Sequence, residues 1–242
     1  MRTTTLSLSA IALALFLVGG CEIGGGPRVQ GIGPVVSATR TVGTFTGVEL
    51  RSDADVVVAQ GDTPGVKVEA QQNILDVLKT DVHGETLRIE YDHVNVGGHE
   101  PIKIYITTPT LQSIDLSGSG SITSDATWKS ETFHADISGS GNLDARVSTA
   151  ADLRATISGS GGLKLSGDAA NCTLNISGSG HVRAFDLSAQ DVSVSISGSG
   201  SADVNAARGL SANISGSGSV HYRGTPAVKS HISGAGSIDP AR

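Results

Sequence analysis

The chain has 242 residues, with 32 glycines but only eight aromatic residues, so it can form one large domain but not a core built on aromatic rings. Hydrophobic residues make up 38% of the chain and are spread along its length, which excludes wholesale disorder. The formal net charge of −6 excludes nucleic acid as a partner, because binding a phosphate backbone needs clustered Lys and Arg.

The first 20 residues have the order of a secretory signal peptide, with a basic start at Arg2, an apolar stretch and two glycines before Cys21. The segment Val18-Gly-Gly-Cys21 resembles a bacterial lipobox, in which the cysteine receives a diacylglyceryl group and, in the mature lipoprotein, palmitate. We therefore expect a cleaved leader over residues 1–20, lipidation of Cys21, and a Gly-rich tether over residues 21–40. Glu22 favours passage to the outer membrane of a Gram-negative bacterium. The alternative is an uncleaved membrane anchor.

Residues 41–242 are predicted to form a single domain, since no break in composition divides them. The first part, residues 41–113, alternates apolar and polar residues in short runs separated by Gly and Pro turns, with one helical turn expected between Asn73 and Lys79. We expect these irregular first coils to cap the amino end of a stack. The predicted strands are Val48–Arg51, Asp55–Ala59, Val66–Ala70, Leu87–Tyr91 and Ile102–Thr107.

The second part, residues 114–242, is dominated by a repeat in which Leu or Ile precedes Ser-Gly-Ser-Gly, with Ala replacing the second Ser in the last copy. Successive copies start 21, 20, 19, 20, 18 and 18 residues apart. At about 3.3 Å per residue, one repeat describes a loop of about 60 to 70 Å, the perimeter of one three-sided β-solenoid coil. The predicted fold is all-β, a parallel β-helix-like solenoid with coils of about 18–21 residues. The motifs start at Leu116, Ile137, Ile157, Ile176, Ile196, Ile214 and Ile232.

Apolar residues recur at fixed offsets from each motif, which predicts inward columns stacked from coil to coil. The offsets −4, −2, 0 and +6 are mostly Ile, Leu, Val or Ala, and Cys172 lies in one of these columns, so we expect a buried, unreactive thiol. Stacked aliphatic side chains fill a narrow core in which bulky rings are expected to fit badly. The two glycines of each motif are expected to form a corner of the coil, because glycine reaches positive φ at little cost.

Polar residues recur just before and just after the motif residue, which predicts outward ladders of hydroxyl and amide groups. We take these ladders as the candidate binding surface. A further outward column places Asp144 beside Lys164 and Arg183 beside Asp203, as expected for neighbouring coils in this register. The candidate binding residues are Asp115, Asp136, Thr156, Asn175, Ser195 and Asn213 before the motif residue and Ser138, Ser158, Ser177, Ser197 and Ser215 after it.

Several segments together identify a family. The chain resembles the bacterial family described as putative auto-transporter adhesin, head GIN domain, over about residues 40–240. This resemblance implies a right-handed β-helix-like fold on an exported, often lipid-anchored protein, with adhesion as a family-level function and no catalytic residues to carry over. The segments are Thr44-Phe-Thr-Gly-Val-Glu-Leu, Asp55-Val-Val-Val-Ala-Gln-Gly-Asp, Gly84-Glu-Thr-Leu-Arg-Ile, Ile104-Tyr-Ile-Thr-Thr-Pro-Thr-Leu and the Ser-Gly-Ser-Gly series.

Catalysis is the main alternative, because β-solenoids also carry polysaccharide lyases and hydrolases. Asp115 and Asp136 are expected on adjacent coils, close enough to raise one pKa or to share a cation. No Lys or Arg stands in their column, so the two solvated ends of a polar ladder are the favoured interpretation. The seven histidines show no metal-ligand spacing, and no nucleotide motif is complete, so we expect neither a metal nor a cofactor.

The sequence therefore favours a non-catalytic, lipid-anchored module of the cell envelope that presents a polar face for adhesion or scaffolding. The expected partners are the membrane, through the lipid anchor, and an envelope or extracellular glycan or protein. The alternatives are a carbohydrate-active enzyme and an ice-binding protein, the latter because the outward hydroxyls are regularly spaced. The last coil has no evident cap beyond Pro240, which predicts weak end-to-end or partner-mediated association, such as a homo-oligomer that forms through the open coil end.

Overall fold

The computed structural model describes residues 26–241, so the predicted signal peptide and Cys21 lie outside the described residues. The chain is nearly all β-structure, with a β-solenoid of about 6 turns. The elements are β1 (Arg28–Val29), β2 (Val35–Arg40), β3 (Gly47–Arg51), β4 (Asp55–Gln60), β5 (Gly65–Gln71), α1 (Gln72–Leu75), β6 (Leu78–His83), β7 (Thr86–Tyr91), β8 (Asn95–Val96), β9 (Lys103–Thr108), β10 (Ser113–Gly118), β11 (Ser121–Gly139), β12 (Asn142–Gly159), β13 (Gly162–Gly178), β14 (His181–Gly198), β15 (Ser201–Gly216), β16 (Ser219–Arg223), β17 (Ala227–Gly234) and β18 (Ser237–Pro240).

Each long strand contributes to more than one wall of the solenoid, because it bends along its length. In β11 the register with β12 shifts between Thr123 and Thr127 and again between Ser130 and Thr132, which divides the strand into three paired segments. In β12, residues 142–149 and 152–159 pair with separate stretches of β13, and the register shifts between Thr149 and Asp152. The last segments of β11–β15 continue the wall that contains β10 and β17, which we call wall A. The first segments, such as residues 121–124 of β11, continue the wall that contains β4, β16 and β18, which we call wall B.

The predicted register is confirmed. Ile122 pairs with Leu143 and Phe133 pairs with Leu153, and the same columns continue through the later coils. Alternate residues along each paired segment are buried, because their side chains point into the space between the walls. The core is thus made of apolar columns that run along the solenoid axis, with adjacent rungs about 4.8 Å apart.

The first coils do not follow chain order. β3 and β4 lie between an earlier layer, formed by β7 and β9, and a later one, formed by β10 and β11. The chain therefore leaves the stack after β4, builds the amino end, and returns to continue on top of β3 and β4. The five predicted strands of this region are confirmed as β3, β4, β5, β7 and β9.

Antiparallel strands close the amino end of the solenoid. β6 pairs with β7 in wall A, and β5 and β2 extend wall B beyond β9. The helical turn predicted over Asn73 to Lys79 is shorter, as α1 ends at Leu75 and Leu78 already belongs to β6. The reason is burial: Ile74 and Leu75 cover the core, and Leu78 then joins the alternation of β6.

The prediction of a flexible tether over residues 21–40 is wrong for residues 28–40, which contain paired strands. Val35–Arg40 forms β2 and pairs with β5, and Arg28–Val29 forms β1 and pairs with β8. Arg40 also donates hydrogen bonds to the carbonyls of Leu75 and Leu78, both at 2.7 Å. Residues 28–40 therefore belong to the folded domain, because their backbone and side chains satisfy groups at its amino end.

Candidate functional site

The first glycine of the motif makes the corner of each coil. Six of these glycines have φ between +116° and +136°, a region that L side chains rarely adopt. The ladder of hydrogen bonds continues through the corner: Ser160 N–H donates to the Gly139 carbonyl at 2.9 Å, and Gly162 N–H donates to the Gly141 carbonyl at 3.0 Å. The predicted corner is therefore confirmed for the first glycine.

The second glycine has a different role, which the sequence pattern did not reveal. Gly161 is buried against the preceding coil, and a Cβ there would lie 2.6 Å from Ile137 Cγ2 and 2.7 Å from the Gly141 carbonyl oxygen. This glycine is needed because the corner packs on the inward Ile of the coil below. The corner carries one side chain, that of the exposed serine between the two glycines, such as Ser160. The motif is thus a structural element rather than a nucleophile or a phosphate cradle.

The outward ladders form one continuous surface on wall A. Asn175 pairs in register with Thr156 and Ser195, and Ser177 pairs with Ser158 and Ser197. A shallow groove of about 500 Å³ lies over this surface in the later coils. We call this surface the polar face. Its groove is lined by the polar residues Thr156, Asn175, Ser177, Ser195, Ser197, Asn213, Ser215, His231 and Ser233. The motif residues Ile176, Ile196 and Ile214 also contribute to the lining.

Seven of the candidate residues therefore line one groove, and the remaining four, Asp115, Asp136, Ser138 and Ser158, lie outside its lining. His231 and Ser233 line the groove although the sequence did not single them out as candidates. Both belong to the predicted columns. Continuing these columns into the last coil would have identified them from the sequence. The side chains that line the groove are uncharged apart from His231, and most of its exposed surface is apolar, with hydroxyl and amide groups at intervals. The groove therefore suits an uncharged ligand that has both apolar and hydrogen-bonding surface.

At the other end of the polar face, the column becomes charged. Asp115 pairs in register with Asp136 on one side and with Glu49 on the other. Burial raises the pKa of Asp115 above its ordinary value, and the carboxylates of Asp136 and Glu49 add to this rise. Burial also acts to raise the pKa of Glu49, but hydrogen bonds from Arg88 and Arg51 outweigh it and hold the pKa below its usual range. Within residues 26–241, the neighbouring cations Arg51 and Arg88 form ion pairs with Glu49 and not with Asp115.

We expect Asp115→Asn to raise the midpoint of chemical unfolding at pH 7 and to leave it unchanged at pH 3. A carboxyl whose pKa is raised by folding stabilises the folded chain below its unfolded pKa of about 3.9, and that contribution is lost as the pH rises through the folded value. The gain at pH 7 should be a few tenths to about 1 kcal/mol.

The matched control for this substitution is Asp144→Asn. Its carboxylate contacts Lys164 Nζ at 2.8 Å on the outer side of wall B, so the substitution removes an ion pair and should lower the midpoint slightly at pH 7. Equal effects of Asp115→Asn at pH 3 and pH 7 would contradict our assignment of the pKa shift.

The second predicted pair of neighbouring charges on wall B is confirmed in register, but its side chains do not contact each other. Arg183 and Asp203 are neighbours in register, but the Asp203 carboxylate contacts the ring of His221 at 3.1 Å, and no ion pair joins it to Arg183 within residues 26–241. Cys172 is buried as predicted, and burial raises the pKa of its thiol to about 12, which keeps it protonated and unreactive.

Residues 26–241 contain neither a metal-ion cluster nor a membrane-spanning helix. No group of three or more His, Cys, Asp or Glu side chains in this range is placed to hold a metal ion. Within the same range, no helix has the length and apolar character needed to cross a membrane.

Solved structures share this architecture. A putative adhesin from Bacteroides fragilis superimposes with a TM-score of 0.80 at 25% identity, covering 88% of this chain and 100% of the other. A putative lipid binding protein from Parabacteroides distasonis gives 0.74 at 25% identity, covering 89% and 100%. A putative adhesin from Parabacteroides merdae gives 0.67 at 20% identity, covering 90% and 100%. No curated protein matches the chain.

These likenesses define a β-solenoid head of the kind found in adhesin-like proteins. The family described as putative auto-transporter adhesin, head GIN domain, matches residues 44–226, and the chain belongs to this family. The resemblance stated from the sequence is therefore confirmed. Membership of a family of adhesin heads indicates an exported or cell-surface protein.

Proposed function

We propose that the chain is a non-catalytic module of the cell envelope that binds a neutral glycan through the groove of its polar face, for adhesion or scaffolding. The observation that carries this proposal is the position of the groove. It lies over two neighbouring columns of uncharged polar side chains, represented by Asn175 and Ser177 in one coil and by Ser195 and Ser197 in the next.

The chemistry of the groove supports a glycan rather than an ion. Hydroxyl and amide groups both donate and accept hydrogen bonds, as sugar hydroxyls do. Each coil repeats the same groups at about 4.8 Å along the solenoid axis, so the surface presents a regular array to a repetitive polymer. The net charge of −6 disfavours anionic polymers as partners. The relatives described as adhesins support a binding role.

The proposal includes a location. The chain is exported, its leader is removed, and Cys21 carries the lipid that holds the domain on a membrane, which we place at the outer membrane of a Gram-negative bacterium. Supporting this, the folded domain begins only a few residues after Cys21, because β1 starts at Arg28. A short tether would then keep the domain close to the membrane surface.

A panel of immobilised polysaccharides tests the proposed function. The full chain in detergent should be retained on one or more neutral polysaccharides and less on anionic ones, and it should release no soluble sugar from them. Retention of anionic polymers only would contradict the proposed ligand. Release of oligosaccharides, abolished by Asp136→Asn, would favour the alternative of a carbohydrate-active enzyme, for which the raised pKa of Asp115 beside the Asp136 carboxylate is the supporting observation.

A further inference from the structure

The last coil leaves apolar side chains uncovered. Val228 and Ile232 of β17 are 41% and 40% exposed, whereas Leu210 and Ile214, their partners in the preceding coil, are 2% and 1% exposed. β17 pairs with β15 on one side, and none of the described residues pairs with its outer edge. The carboxyl end of the solenoid is therefore an open edge of wall A.

The two ends of the solenoid are not equivalent. At the amino end, the antiparallel strand β6 and the helical turn α1 cover the core, and Ile74, Leu75 and Leu78 are buried beneath them. A copy of the chain stacked head to tail would meet this cap instead of an exposed apolar column. Any close association through β17 should therefore join two carboxyl ends, which gives a closed dimer with two-fold symmetry.

The hydrogen-bond ladder shows which backbone groups of β17 are free. In every coil, the N–H groups at odd offsets from the motif residue point back to the preceding coil, as His134 N–H does to the Gln112 carbonyl and Ala235 N–H does to the Gly216 carbonyl. Groups at even offsets point forward. In β17 the even offsets are Val228, Ser230, Ile232 and Gly234. Gly234 lies at the corner, with a φ of +127°, and the three residues before it present their N–H and C=O groups along the straight part of the open edge.

We propose that two copies of the chain pair through β17 in an antiparallel register centred on Ser230. In this register Val228 of each copy lies opposite Ile232 of the other, and the two Ser230 residues face each other on the two-fold axis. The three forward-pointing residues then form three hydrogen-bonded pairs, which give about six backbone hydrogen bonds.

In this register, inward side chains of β17 lie opposite inward side chains of the other copy. A shift by one residue loses this match. A shift by one would place inward residues opposite outward ones, because side chains alternate between faces. The centred register keeps Val228, Ser230 and Ile232 of both copies toward the core, so each apolar column continues from one copy into the next. Lys229 lies opposite His231 of the other copy on the outer side, where a neutral imidazole can accept a hydrogen bond.

The area of the coil end limits the affinity of the two copies for each other. β17 has eight residues, so it is about 26 Å long. With the two walls about 10 Å apart and side chains on both outer faces, the coil end offers about 500 Å² on each copy. The total of about 1,000 Å² is at the lower limit for a specific interface, so the dimer should be weak and reversible.

Wall B offers a shorter edge for the same pairing, because β18 has four residues whereas β17 has eight. β18 ends at Pro240, which stands at an even offset and therefore has no N–H to offer at the open edge. β17 contains no proline. The dimer contact is thus centred on wall A, next to the polar face, and it would join the polar faces of two copies into one longer surface.

Cysteine cross-linking tests the register. The full chain with Cys21→Ser, in detergent and with buried Cys172 as its remaining native thiol, receives either Ser230→Cys or Ser233→Cys. Two Cα atoms in a hydrogen-bonded antiparallel pair lie about 5.5 Å apart, within the range for a disulfide, so Ser230→Cys should give a covalent dimer under mild oxidation. Ser233→Cys is the matched control, because the two Ser233 positions are six residues apart in the centred register, about 20 Å. Equal cross-linking of both variants, or of neither, would overturn the proposal.

Sedimentation equilibrium tests the association without added thiols. The wild-type chain should show a monomer and dimer equilibrium that depends on concentration, and Ile232→Lys should raise the dissociation constant at least about tenfold by placing a charge in the contact. A circular dichroism spectrum and unfolding midpoint close to wild type verify that Ile232→Lys folds. A monomer at all concentrations, or species larger than a dimer, would overturn the two-fold pairing without affecting the proposed glycan binding.

Discussion

Gly159→Ala should destabilise the solenoid by about 3 kcal/mol or more, although it adds a single methyl group. Gly159 has a φ of +134°, which strains any L side chain. A Cβ at this position would also lie 2.5 Å from the Gly139 carbonyl oxygen of the preceding coil, and this backbone cannot move without breaking the ladder. The midpoint of guanidinium unfolding, followed by circular dichroism, measures the effect.

The same motif supplies the controls. Ser160→Ala changes the exposed residue between the two glycines and should shift the stability by less than about 0.5 kcal/mol. Gly161→Ala should cost about 2 to 3 kcal/mol, since its Cβ would meet the buried side chain of Ile137, which can yield only partly. Equal stability of Gly159→Ala and Ser160→Ala would show that the motif does not form the corner of the coil.

Phe133→Ala should cost about 3 to 5 kcal/mol, the usual loss for a buried phenylalanine. Phe133 is fully buried at 0% exposure and stacks on Leu153 in the next coil, so truncation leaves a cavity between rigid walls. Chemical unfolding measured at low protein concentration reports the loss.

Val228→Ala is the matched control for Phe133→Ala, because Val228 continues the same column into the last coil. It is 41% exposed, and its truncation in a monomer should cost less than about 1 kcal/mol. A similar loss for both substitutions would mean that the column is not a continuous core with an open end.

The aromatic side chains also show where sequence reasoning was incomplete. A narrow aliphatic core was expected to accommodate rings badly, yet Trp128 and Phe133 are both fully buried in β11. Their coil is the longest of the repeat, with 21 residues between Leu116 and Ile137. Trp128 Nε1 also donates a hydrogen bond to Ser124 Oγ at 2.5 Å, which satisfies its polar group. The longer coil encloses both rings, whereas Phe185 and Tyr222, in later and shorter coils, are only partly buried.

The register of the repeat coils was predictable because each coil contains one copy of the Ser-Gly-Ser-Gly motif at the same corner. Positive φ at the first glycine fixes the corner, and the corner fixes which residues face inward, so one motif aligns a whole coil with the next. This is why columns such as Ile122 and Leu143 were predicted correctly from spacing alone. The first coils lack this motif, and their strands were predicted without their partners.

The order of the first coils could not be predicted, because it depends on contacts between segments far apart in the chain. Alternation identifies β3 and β7 as strands, but it does not show that β7 lies beneath β3. β2 was missed because its residues are mostly exposed, so no alternation of apolar residues marks them. It is held instead by backbone pairing with β5 and by Arg40.

The candidate site was predictable as a face but not as a groove. Column spacing places Asp136 and Asn175 in one ladder, and the structure agrees. The groove, however, lies mainly over the coils in which the neighbouring outward residues are small, namely Thr173, Ser193 and Ser211. It reaches the coil of Arg154 at Thr156, and it does not reach the coil of His134. The position of the groove depends on the size of the side chains in the adjacent column, which is not considered when each column is read separately.

The most direct test of the central claim compares two serine substitutions in the same strand. Ser197 lies in the groove of the polar face, and Ser188 lies in the middle paired segment of the same strand, outside the polar face; both are exposed. The measurement is equilibrium binding of the full chain in detergent to the neutral polysaccharide that retains the wild type most strongly. We expect Ser197→Arg to weaken binding at least about tenfold, because a bulky cation fills the groove, and Ser188→Arg to change it less than about twofold. Equal binding by the two variants would contradict the assignment of glycan binding to the polar face.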